Sequence, residues 1–171
     1  TIKNVIISQR EFLDSSEQGT LREKSKEIKI DDSFALIITG VRRCGKSTLM
    51  NQLLKKQKKG YYLNLEDPRL GGFDFSDFNK VESIMNELYG EGGVYFFDEI
   101  QNVPEWERFV RYLVDKKERV VLTGSNASIL SKELGTKLTG RHLSIELFPF
   151  SFLEFLSLKK QEPSISSFEE Y

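Results

Sequence analysis

Residues 34–54 read Phe34-Ala35-Leu36-Ile37-Ile38-Thr39-Gly40-Val41-Arg42-Arg43-Cys44-Gly45-Lys46-Ser47-Thr48-Leu49-Met50-Asn51-Gln52-Leu53-Leu54, and this stretch decides the fold. It opens with a continuous apolar run of strand length and passes through a loop bounded by two glycines. Leu49, Met50, Leu53 and Leu54 then recur at helical spacing. The loop, Gly40 to Ser47, matches G-x-x-x-x-G-K-[ST] in the strand, loop, helix context that this motif requires. Its glycines let the backbone curl until N–H groups face an anion, and the helix N-terminus adds the positive end of its dipole. Lys46 would then reach the β- and γ-phosphates of a nucleotide, the Ser47 hydroxyl would ligate Mg²⁺, and Thr48 lies toward the α-phosphate. Arg42 and Arg43 either approach phosphate or a partner, or point to solvent. Cys44 is either a thiol of raised reactivity beside Lys46 or a small residue that the loop tolerates.

Outward from this stretch, strands and helices alternate. Gly60 stops the first helix, Tyr61 to Leu65 reads as a second strand, and Glu66-Asp67-Pro68 ends it. Phe78, Val81, Met85 and Leu88 mark a helix with Ser76 at its N-cap and Gly90 at its stop. Val94 to Phe97 is the third strand, and Pro104 opens a helix with Trp106, Phe109, Val110, Leu113 and Val114 on one face. Val120 to Thr123 is the fourth strand, Asn126 to Leu134 a short helix, and Arg141 to Leu147 a fifth strand. Strands at 34–39, 94–97 and 120–122 are apolar throughout, as expected at the centre of a parallel sheet covered on both faces. The second and fifth carry polar residues and suit its edges. The reading is a three-layer α/β fold with a five-stranded parallel sheet, whose ligand lies beyond the carboxyl ends of the strands.

Those ends carry the remaining candidates. The third strand delivers Asp98 and Glu99, the first suited to hold Mg²⁺ and the second to orient and polarise an attacking water. After the fourth strand, Ser125 or Asn126 could sense a γ-phosphate, although Asn126 also suits a helix cap. Arg141, before the fifth strand, is either an arginine finger acting on a neighbouring subunit or one half of a strand-end ion pair.

Composition narrows the classes. The 171 residues carry 25 Lys plus Arg against 26 Asp plus Glu, so the basic excess usual in nucleic-acid binding is missing. The basic run Lys55, Lys56, Lys58 and Lys59 leaves DNA open as a partner, or is a solvated helix end. A single histidine, His142, excludes multi-histidine metal sites and leaves little room for a Ser-His-Asp triad. The lone Cys44 forms no intramolecular disulfide and fits a reducing compartment. No apolar run approaches the ~20 residues of a membrane span, and residues 1–30 lack the apolar core of a signal peptide. A cytoplasmic protein without a membrane partner is expected.

Taken together, G-V-R-R-C-G-K-S-T, F-F-D-E-I-Q-N-V-P-E-W, V-L-T-G-S-N-A-S, L-T-G-R and L-F-P-F-S-F-L-E-F, the last at 147–155, carry a resemblance over most of the chain. The sequence resembles the AAA-type P-loop ATPases of archaea and bacteria in which an ATPase core precedes a C-terminal domain of poorly defined function. That resemblance implies strand order 5-1-4-3-2 and ATP with Mg²⁺ as ligands. It also implies that Lys46, Ser47, Asp98 and Glu99 form the site, with Ser125 and Asn126 as first sensor and Arg141 at the finger position. A homo-oligomer is a further expectation, and the family's C-terminal region, sometimes nuclease-like, is suggestive of DNA transactions or mobile elements.

The expected domain spans 1–158, with 1–30 as an N-terminal extension, and 159–171 is a polar tail or the start of a lid. Ser151-x-x-Glu154 is a capping-box pattern opening a helix so apolar that something should cover it. The absence of an initial Met and the polar end suggest a piece of a longer protein. Hydrolysis of Mg-ATP is the leading reading, ahead of an ATP-binding switch or scaffold with negligible turnover and of a small-molecule kinase.

Overall fold

The computed structural model describes residues 1–17, 19–125, 138 and 140–171. Five strands, β1 (Ala35–Thr39), β2 (Gly60–Asn64), β3 (Val94–Asp98), β4 (Arg119–Thr123) and β5 (His142–Glu146), form one parallel sheet in the order β2-β3-β4-β1-β5. This is the expected 5-1-4-3-2 order read from the other edge. The two strands with polar residues are indeed the edges. Pairing of Asn64 with Asp98 and of Ile38 with Thr123 brings the chain exits of β1 to β4 to one rim.

Side chains alternate between two cores, as strand geometry requires. Ile37, Leu63, Phe97 and Leu122 face helices α1 (Ile2–Ser15), α3 (Asp77–Tyr89) and α4 (Trp106–Asp115). Leu36, Ile38, Phe96 and Val121 face α2 (Lys46–Lys55) on the opposite side. Behind β3, the Phe78 ring stacks on Phe109 at 4.3 Å and meets Phe97 edge-on at 5.9 Å, so an aromatic block backs the strand that carries the acids.

Several details depart from the pattern-based reading. The helix expected to open at Pro104 begins at Trp106, because Glu105 adopts a left-handed conformation and interrupts the turn. Ser76 precedes α3 but makes no cap; its N–H and hydroxyl both donate to Asp74. The short helix expected at 126–134 lies outside the described residues.

Residues 1–30 read as an extension, yet α1 buries Val5 and Ile6 in the larger core. It also covers the free edge of β2. Gln9 accepts from Asn64 N–H at 2.8 Å and donates to its carbonyl at 3.1 Å, while Arg10 donates to the Gly60 carbonyl, which protects an otherwise open strand.

At the other end, α5 (Phe152–Lys159) starts with the expected capping box between Ser151 and Glu154. Its aromatic face is partly covered by α6 (Ile165–Glu170) and the residue after it. Phe152 meets Phe168 and Tyr171 edge-on at 5.3 and 5.5 Å, and the Tyr171 hydroxyl donates to the Phe150 carbonyl. No helix among the described residues is long and apolar enough to cross a membrane.

Candidate functional site

The loop between β1 and α2 wraps around Lys46, which is only 5% exposed and donates to the carbonyls of Gly40 and Val41, both at 3.1 Å. A buried ammonium held by loop carbonyls is a cation poised beside backbone N–H groups, the arrangement that suits a polyphosphate. Gly45 caps α2 with φ 96°, a conformation that disfavours any side chain, and a Cβ there would sit 2.6 Å from Arg22 Nη1. Gly40 is equally restricted, since a Cβ would sit 2.2 Å from the Leu147 carbonyl oxygen.

Ser47 and Asp98 line one cavity of about 580 Å³, together with Thr48, Asn51, Tyr62 and the α1 residues Phe12 and Leu13. Its size falls within the ~300–1,000 Å³ typical of small-molecule sites. Asp98 is 2% exposed and accepts from the hydroxyls of Thr123 and Tyr62. Burial first, and then the Asp98 carboxylate, push the Tyr62 hydroxyl well above its usual range, so it remains a donor. Asn51 Oδ1, on the cavity wall, is buried and finds no hydrogen-bond partner among the described residues. The oxygen-only donor set of one hydroxyl and one carboxylate at a cavity fits Mg²⁺, which takes few protein ligands beside phosphate oxygens and water. Among the described residues no cluster of three or more His, Cys, Asp or Glu competes as a metal site.

Glu99 leaves β3 with φ 54°, a left-handed turn that swings its carboxylate toward β4. Its Oε2 accepts from Ser125 Oγ at 2.8 Å, from Ser125 N–H at 3.2 Å and from Gln101 Nε2 at 2.5 Å. Thr123 ties the two acids together, donating to Asp98 and accepting from the Glu99 N–H at 2.9 Å. Ser125 is therefore beside Glu99, while Asn126 lies outside the described residues.

The arginines separate. Arg42 is exposed and 3.7 Å from Glu66, and Arg43 is exposed at φ 66°. Cys44 is buried against the α2 core, which removes the access that a reactive thiol needs. Arg141 pairs with Asp115 at 3.0 Å at the amino end of β5, roughly 13 Å of strand from the phosphate loop at about 3.3 Å per residue. Within one chain it takes the ion-pair alternative. Three lysines of the basic run are tied to carbonyls: Lys55 to Ser16, Lys56 to Ser25 and Lys59 to Glu91.

Sequence reasoning missed Thr123, Tyr62, Gln101 and Arg22. Thr123 and Tyr62 left only a faint signal, a hydroxyl within an apolar strand. Arg22 left none, because its partners lie far away in sequence.

A parallel sheet in this order, with a glycine-bounded loop after β1 and an acid pair after β3, defines a P-loop nucleotide-binding class. Residues 32–156 match the family described as AAA domain, and the chain belongs to that family. It is 36% identical over 149 residues to an uncharacterized protein, MJ1544, of Methanocaldococcus jannaschii, covering 86% of this chain and 34% of the relative. A Haemophilus influenzae protein, also uncharacterized, is 38% identical over 143 residues, covering 75% of this chain and 34% of its own length. The chain thus spans about a third of the length of these relatives. Among solved structures, a closed-state reconstruction of Hsp104 with ATPγS and casein is similar in fold. Its TM-score is 0.52 at 15% identity, over 91% of this chain and 29% of that one.

Proposed function

We propose that this domain binds Mg-ATP and hydrolyses its β–γ phosphoanhydride, as part of a larger protein whose conformation the cycle drives. One observation carries the reading: Ser47 of α2 and Asp98 at the end of β3 line one cavity, with Lys46 next to Ser47 in the chain and with Glu99, next to Asp98, bonded to Ser125 beyond β4. The N–H groups of Gly40 to Thr48 and the Lys46 ammonium would hold the phosphates, and Asn51 Oδ1 would accept from the nucleoside part. Ser47 and Asp98 would hold Mg²⁺, which supplies charge neutralisation to the phosphate oxygens. Glu99 would take the proton of the attacking water as its oxygen bonds to the γ-phosphorus and the bridging oxygen leaves with ADP. Ser125 orients that carboxylate. Arg141, whose present partner Asp115 is exposed, would complete the site of a neighbouring copy in a homo-oligomer. A cytoplasmic location suits an ATP consumer of this kind.

A second reading is an ATP-binding switch with negligible turnover. It is favoured by the three hydrogen bonds that Glu99 Oε2 already accepts, because an oxygen so occupied has less room to accept from an attacking water. The test is single-turnover hydrolysis with protein in excess over labelled Mg-ATP, at low and high protein concentration, with Lys46→Ala as blank. Hydrolysis that rises per molecule with concentration and falls about 10²-fold or more in Glu99→Gln, with ATP binding retained, supports the ATPase. ATP retained unhydrolysed at both concentrations supports the switch.

A further inference from the structure

Arg22, in the stretch before β1, is 2% exposed, and its guanidinium joins three distant segments. Nη1 donates to the Cys44 carbonyl in the phosphate loop, Nη2 to the Phe148 carbonyl at 2.8 Å, and Nε to Glu154 Oε1 at 3.0 Å. The guanidinium carbon lies 5.0 Å from the centre of the Phe150 ring. Glu154 is itself 5% exposed and also accepts from the N–H groups of Glu23 and Ser151, at 2.8 and 2.9 Å. The backbone N–H of Arg22 is anchored on Gln52 of α2.

In a trans peptide the C=O and the following N–H point in opposite directions. Holding the Cys44 carbonyl outward therefore turns the Gly45 N–H to the opposite side, away from Arg22. At the other end of the loop, the Leu147 carbonyl packs against Gly40, and the Leu147 N–H donates to the Thr39 carbonyl at 2.8 Å. Both glycines of the motif thus rest on the chain that runs from β5 into α5, one through backbone and one through Arg22.

We propose that Arg22 is a positioning residue for the phosphate loop: it locks the Cys44–Gly45 peptide and, through Glu154, ties the affinity of the loop for nucleotide to the seating of residues 147–156. The nucleotide part of this proposal rests on the function proposed above. The mechanical part does not. A buried pair with every group satisfied resists replacement of either member, because the survivor is left as an uncompensated charge or donor. Whatever shifts α5 would therefore be felt at the loop.

The test is hydrogen exchange of the nucleotide-free chain in peptides covering 40–48 and 94–98, in wild type, Arg22→Lys and Glu154→Gln. Lysine keeps the charge but not the fork that reaches three acceptors. Exchange at 40–48 should rise about tenfold in Arg22→Lys and about threefold in Glu154→Gln, with 94–98 unchanged. If Arg22→Lys does not fold, the near-isosteric Glu154→Gln carries the test. Exchange at 40–48 within about twofold of wild type in the folded variants, or an equal rise at 94–98, overturns the proposal. The dissociation constant for Mg-ATP should rise by the same factors, and unchanged affinity in a variant with a loosened loop also overturns it. Failure of wild type to bind Mg-ATP would remove the function proposed above while the exchange result still judges the strut.

Discussion

The phosphate loop has two unlike flanks. Toward β3 and β4 it faces acids carried by the most apolar strands of the sheet, backed by the stacked rings of Phe78, Phe97 and Phe109 and cross-linked by the Thr123 hydroxyl. Toward β5 it faces an edge strand with Leu143 55% exposed, and there main-chain contacts and the Arg22–Glu154 pair hold it. The inner flank is positioned by packing, which is non-directional and robust. The outer flank is positioned by a few directional bonds, whose loss is local and whose strength depends on charge state. A site built this way holds its two acids by packing while its loop takes its position from the C-terminal side.

That contrast can be broken or sharpened by four measurements. The largest effect should come from Phe78→Ala, which empties the aromatic block: unfolding in urea should show a loss of about 3–5 kcal/mol. A loss under about 1 kcal/mol would mean that the inner flank does not depend on packing. Thr123→Val keeps the shape but deprives the Asp98 carboxylate and the Glu99 N–H of their shared partner. It should cost about 1–3 kcal/mol by the same assay.

The third measurement concerns pH. Burial opposes ionisation of Glu154, but the Arg22 side chain and the N–H groups of Ser151 and Glu23 outweigh it and hold the carboxyl below its usual range. A depressed folded value means that the pair stabilises the protein above the unfolded carboxylate pKa of about 4.3 and that this share is lost as pH falls through the folded value. Melting temperatures of wild type and Glu154→Gln should accordingly converge as pH falls below about 4.3; a constant gap would show that the charge is not what holds the outer flank. Arg141→Ala should have the smallest effect, within about 1 kcal/mol in urea unfolding, because its pairing with Asp115 is exposed. A larger loss would give the amino end of β5 a structural role that its surface pairing does not suggest.

The inner flank was legible in the sequence and the outer one was not. V-Y-F-F-D-E announces a buried strand ending in two acids, and G-V-R-R-C-G-K-S announces the loop, because each is a local pattern whose chemistry lies within a few residues. Ser125, expected with Asn126 as a γ-phosphate sensor, stands out by the same end-of-strand logic, and the structure puts it beside Glu99. Arg22 and Glu154 are separated by 132 positions, and each in isolation looks like an ordinary surface charge or, for Glu154, only a helix cap. The N-terminal helix was missed for a related reason: its apolar face of Ile2, Val5 and Ile6 is short and set among charges, and it is buried only because β2 has an open edge to cover. In the basic run at the end of α2, three lysines bond to carbonyls of segments that the sequence does not place nearby, so how they are held could not be read locally.

By itself, then, the sequence determined the alternation of elements, the parallel sheet with its central and edge strands, and the identity of the loop and of the acid pair. Hydrophobic period and turn chemistry are local properties and survive reading in one dimension. Only the tertiary structure decided that the carboxylate of Glu99 rests on Ser125, that Asp98 is held by Thr123 and Tyr62, and that Arg22 spans from the loop to Glu154. Those are pairings of single polar atoms across long loops, selected because a buried donor or charge must find its partner wherever the fold brings one.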